Sequence, residues 1–116
     1  MNQQPAIDRA TFDELKDTAG DDFVDELVDT FLEEAPRLLD DLRVAYEKRD
    51  ADVFRRTAHS LKSNGNTFGA RTFAAMAKDL ELGGMNPVVT AAGVPIEALA
   101  AEFKRVGAAL KELRNA

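Results

Sequence analysis

Apolar residues recur at steps of three and four along most of the chain, and no stretch alternates convincingly with a period of two. That beat marks amphipathic α-helices with one face turned inward, so helices are predicted throughout and no sheet. The longest stripe runs through Phe23, Leu27, Phe31, Ala35, Leu38, Leu42 and Tyr46, widened by Val24, Val28, Leu32 and Leu39. Pro36 interrupts it, and a proline inside a helix removes a backbone hydrogen bond and crowds the preceding turn. One bent helix is the prediction, with a break and restart near residues 33–36 as the alternative. Upstream, Thr11 and Glu14 have the spacing of a capping box, which predicts a short helix over about residues 11–18, closed by Gly20. A third helix is expected from Asp50 or Asp52. A fourth starts around Ala70, with Phe73, Ala77 and Leu80 on one side. The Gly- and Pro-rich run GGMNPVVTAAGVP marks residues 83–94 as a loop. Pro95 then suits the first turn of a last helix, whose seam is Ile96, Leu99, Phe103, Val106, Leu110 and Leu113.

Four long amphipathic helices with short connections predict an all-α fold, an antiparallel up-down four-helix bundle. The additional short N-terminal helix should cover one end of it. The 116 residues suit one domain spanning 1–116, large enough to bury a core without disulfides or metal.

Composition narrows the chemistry. The chain has no Cys, so thiol catalysis, disulfides and cysteine-held metal are excluded. The net charge of −6 argues against nucleic-acid binding, which depends on Lys and Arg neutralising phosphates. MNQQPAIDRA lacks the basic and apolar regions of a secretion signal, and no apolar run approaches the ~18 residues of a membrane span. The expectation is a cytoplasmic protein that does not act at a membrane.

His59 is the only histidine. At about 100° per residue, Phe54, Thr57, Ala58, Leu61, Gly65 and Phe68 gather roughly opposite it and form the core face of its helix. Asp52, Arg55, Arg56, Lys62, Ser63 and Asn66 fall within about 60° of it. The imidazole therefore projects from the wet, mostly basic face. Lys62 and Ser63, three and four residues on, share that face. A cation beside the ring and no second His or Cys make a poor metal site. The same surroundings suit a nucleophile that becomes an anion. A phosphorylated imidazole would carry about two negative charges, which Lys62 can offset, while the small residues leave room for a second protein. A neighbouring cation also favours the neutral, nucleophilic imidazole.

Around this residue the sequence resembles the histidine-containing phosphotransfer (HPt) domains of phosphorelays, whose signature reads H-x-L-K-G with a later Gly-Ala pair. Here it is His59-Ser60-Leu61-Lys62-Ser63, followed by Gly69-Ala70. The likeness extends to FLEEAPRLLDDL before the site and to Phe73, Ala77 and Leu80-Glu81 after it. The resemblance implies that His59 accepts a phosphoryl group from a receiver-domain aspartyl phosphate and passes it to another receiver. It implies that Lys62 stabilises the phosphate and that Glu81 orients the imidazole. Ser63 departs from the usual glycine.

The chain carries no G-x-x-x-x-G-K-[ST] loop, so it is expected to be a covalent phosphocarrier rather than an enzyme with its own ATP site. No cofactor of its own is expected; Mg²⁺ should belong to the partner receiver. The partners implied are response-regulator receiver domains and a hybrid sensor kinase. They should dock on a surface around Arg55, Arg56, Ser63 and Asn66. Two alternatives stand: the phospho-accepting module of a chemotaxis-type histidine kinase, and a helical interaction module that is never phosphorylated. Met1 and the complete set of helices favour a free-standing protein.

Overall fold

The computed structural model describes residues 5–83 and 94–114. Among them are five helices and no strand: α1 (Arg9–Ala19), α2 (Asp21–Lys48), α3 (Ala51–Phe68), α4 (Arg71–Gly83) and α5 (Val94–Arg114). Of the predicted loop at 83–94, residues 84–93 lie outside the described residues, while Gly83 closes α4 and Val94 opens α5.

Local chemistry fixes the helix ends. The Asp50 carboxylate accepts the Val53 N–H at 3.2 Å and caps α3, as the sequence suggested. Asp21 and Asp22 open α2 and Lys48 lies in its last turn, each matching the sign of the helix dipole. α3 ends at Gly69 (φ 79°), where the Gly69 N–H reaches Asn66 O and the Ala70 N–H reaches Gly65 O. α1 starts two residues before the expected capping box. Thr11 therefore lies inside the helix, and its hydroxyl donates to the Asp8 carboxylate at 2.5 Å.

α2 runs unbroken through Pro36, which excludes a break and restart there. A mid-helix proline costs about 3 kcal/mol or more. Phe31, Ala35 and Leu39 are buried on either side of it, and burying large apolar side chains stabilises by about 1.5–3 kcal/mol each, which offsets that cost. The inward face of α2 falls on the widened side of the predicted stripe. Its buried line is Val24, Val28, Phe31, Ala35, Leu39, Leu42 and Ala45, whereas Phe23 is 52% exposed. Phe23 and Val24 are adjacent, so both fit a three-four beat, and only the position of the neighbouring helices decides which turns inward.

α2 packs against α3 and α5, and α4 packs against the same two. Each of these four helices contributes one phenylalanine to a central cluster: Phe31, Phe68, Phe73 and Phe103. Ring centroids from Phe31 to the other three lie 5.4–5.9 Å away, in tilted or edge-on geometry that favours aromatic pairs. α1 packs against α2 and α3, with Phe12 buried beneath it. Its entry is pinned to the α3–α4 turn: the Asp8 N–H donates to Gly69 O at 2.8 Å, and Arg71 pairs with the Asp8 carboxylate at 3.1 Å.

Candidate functional site

The buried residues of α3 are Phe54, Thr57, Ala58, Leu61, Gly65 and Phe68, the predicted core face without exception. His59 consequently stands on the outer side of the helix, with its side chain 55% exposed.

The α3–α4 hairpin supplies its partner. Gly69 and Ala70 form a two-residue turn, and the helices approach closely at Gly65, where an added Cβ would lie only 2.8 Å from Phe73 Cδ2. His59 lies ten residues before Gly69 and Glu81 eleven after Ala70, so equal helical rise brings them level. The Glu81 Oε2 atom sits 2.9 Å from His59 Nδ1. Oε1 lies 2.9 Å from Lys62 Nζ, an ion-pair distance without hydrogen-bond alignment. One carboxylate thus bridges the imidazole and the ammonium.

Burial grades outward through this trio. The Glu81 side chain is only 15% exposed, against 55% for His59. The Lys62 ammonium, ahead of the hydrogen bond from His59, holds the Glu81 carboxyl below its usual range against the upward push of burial. An ionised carboxylate only accepts, so the shared proton belongs to Nδ1. In the neutral ring the lone pair is then left on Nε2, the nitrogen not engaged by Glu81.

Arg55 and Arg56 are exposed and both pair with Asp52, at 3.2 and 3.0 Å. Exposed pairs of this kind are weak, so both guanidinium groups remain open to exchange with a partner's acids. Ser63 and Asn66 are exposed on the same helix. The structure therefore keeps Arg55, Arg56, Ser63 and Asn66 on the outer surface of α3 with His59, and it brings His59, Lys62 and Glu81 into one contact set. Sequence reasoning missed that Glu81 would also engage Lys62. The distances of the three residues from the Gly69-Ala70 turn were the available signal. Among the described residues no three His, Asp or Glu side chains gather as a metal site.

No curated protein matches the chain. Among solved structures, it is similar to the histidine-containing phosphotransfer protein B of Pseudomonas aeruginosa, with 29% identity and a TM-score of 0.86, covering 97% of each chain. A family model described as Hpt domain matches residues 26–116. Because that span takes in most of the chain, the chain belongs to the Hpt domain family.

Proposed function

We propose that Nε2 of His59 accepts a phosphoryl group from an aspartyl phosphate on a receiver domain and returns it to the aspartate of another receiver. The family's activity is histidine phosphotransfer in two-component signalling. The observation that carries the residue assignment is the pairing of an exposed ring with an inward carboxylate: Nδ1 is engaged by Glu81 and Nε2 is left to react. In this reading Glu81 orients the imidazole, and Lys62 contributes the positive charge that a phosphorylated ring needs nearby.

Phosphoryl transfer is chiefly positioning and charge stabilisation. A nucleophile fixed on a packed helix loses little freedom when it meets its donor. The receiver supplies the aspartate, the acidic pocket and Mg²⁺, and this chain supplies the histidine without an ATP site. The four long helices form an antiparallel up-down bundle within a single domain spanning 1–116, and the protein works in the cytoplasm. Docking uses Arg55, Arg56, Ser63 and Asn66, with a hybrid sensor kinase upstream and response-regulator receivers as exchange partners. Leu82, 74% exposed and one residue along α4 from Glu81, adds apolar surface. The deciding experiment is incubation with phosphorylated receiver domains followed by mapping of the label. Acid-labile, base-stable label on His59 is the expected result, and label elsewhere or none rejects the reading.

A further inference from the structure

Lys62 is engaged in the resting protein. Its ammonium sits on one oxygen of Glu81 while the other oxygen holds Nδ1 of His59, both at 2.9 Å. We propose that Lys62 is a positioning residue that acts on His59 through Glu81, anchoring one carboxylate oxygen so that the other keeps the proton on Nδ1 and Nε2 bare. This rests on the reading of His59 as the phosphoryl acceptor and adds how the reacting nitrogen is selected.

A glutamate side chain turns about three bonds, and ordering it costs conformational entropy. A single hydrogen bond to a half-exposed ring gives Glu81 little reason to stay. The second anchor makes departure break two contacts. The side chains of Lys62 and Glu81 are 24% and 15% exposed, so water screens their attraction less than it screens a surface pair. The ammonium also keeps the carboxyl ionised, as its lowered pKa indicates. This matters chemically because a protonated Glu81 could donate to Nδ1 and move the ring proton to Nε2, removing the nucleophile.

In the transfer, the Nε2 lone pair forms the N–P bond as the P–O bond to the donor aspartate breaks, and the aspartate carboxylate leaves with the bonding pair. The proton remains on Nδ1 against Glu81. The product is an N-phosphoimidazolium, so neutral imidazole, rather than an imidazolate anion, departs in the next transfer. A carboxylate held on Nδ1 therefore assists both directions.

The test uses the full chain and phosphoramidate as donor: Nε2 attacks phosphorus, the P–N bond breaks and ammonia leaves. Long-range ¹H–¹⁵N spectra of the unphosphorylated protein, at a pH where the ring is neutral, read the His59 tautomer. ³¹P spectra read the rate of phosphorylation. Wild type and Lys62→Arg should show the Nδ1–H tautomer alone. Lys62→Met should show a mixture and react about tenfold more slowly, the low end of what losing a supporting partner costs at other sites. Lys62→Gln repeats the test with a polar side chain. In a Glu81→Gln background, adding Lys62→Met should cost a smaller factor than in wild type, the remainder being the ammonium's direct charge contribution, because coupled residues are not additive. An unchanged tautomer in Lys62→Met, or the same fold loss in both backgrounds, overturns the proposal and leaves direct charge as the whole role of the ammonium. If wild-type His59 takes no phosphoryl group, the acceptor reading fails separately, and the tautomer still decides whether Lys62 acts through Glu81.

Discussion

Gly65 is where local preference and tertiary packing oppose each other most sharply, and the outcome is measurable. A Cβ there would lie 2.8 Å from Phe73 Cδ2, 3.4 Å from the Ala70 carbonyl oxygen and 3.5 Å from Ala74 Cβ. Optimal carbon–carbon contact is about 3.5–4.0 Å, so the first of these is a clash. Phe73 is fully buried and meets Phe31 edge-on, which leaves its ring little freedom to yield. In a helix interior, Gly→Ala is favoured by about 1 kcal/mol. Overpacking a filled core costs about 1–3 kcal/mol. With a rigid aromatic wall the upper half of that range applies, so Gly65→Ala should destabilise by about 1–2 kcal/mol net. Gly107 is the control. A Cβ there meets only Leu32 Cδ2, at 3.4 Å, so Gly107→Ala should stabilise by about 0.5–1 kcal/mol. Urea unfolding followed by circular dichroism reads both, with midpoints moving in opposite directions at constant m. A Gly65→Ala midpoint at or above the wild-type value would refute the argument that this glycine sets the α3–α4 approach. Pushing α4 outward should also loosen the contact between Glu81 and His59, so Gly65→Ala should phosphorylate more slowly than Gly107→Ala.

Other substitutions separate function from fold. His59→Gln changes an exposed side chain, so its unfolding midpoint should stay within about 0.5 kcal/mol of wild type while phosphoryl uptake is abolished; retained acid-labile label would contradict the assignment. Ser63→Trp should leave helicity intact and block receiver binding in a titration, because the bulk is placed one turn from the reacting ring. The Asp8 carboxyl is held below its usual range first by the Thr11 hydroxyl and then by Arg71. A depressed folded pKa stabilises above the unfolded value near 3.8 and the benefit disappears as pH falls through the folded value. Asp8→Asn should therefore be less stable than wild type at pH 7, and the gap should close on acidification below pH 3.8; a gap independent of pH would show that the ionised carboxylate contributes nothing.

The inward face of α3 was legible because its apolar residues lie on a narrow arc with only polar residues opposite. The same reading left the centre of the α2 stripe open: among its predicted positions Phe23 alone is exposed, while Leu27, Leu38 and Tyr46 are partly buried against the core. There Phe23, Val24, Leu27 and Val28 give a broad apolar arc whose centre periodicity alone does not locate. The turn residues were read well where they act locally, as with Asp50 and Gly20. They were read less well at Thr11, whose role depends on Asp8 and on Arg71 from another helix. A continuous helix through Pro36 was likewise a tertiary outcome, decided by what its flanking residues bury.

The site divides along the same line. That His59 faces water follows from one helix and its angles, whereas the Glu81 bridge requires two helices, their register and the length of the turn. Register follows from Gly69-Ala70 and from the close packing at Gly65, so the signature's trailing small residues bear on the chemistry although none of them touches the imidazole. A bulkier residue at Gly65 would leave the histidine outward and still uncouple it from the carboxylate. An outward histidine is therefore insufficient for a carrier of this kind; the turn and the glycine before it must also deliver an anion to the ring's inner nitrogen.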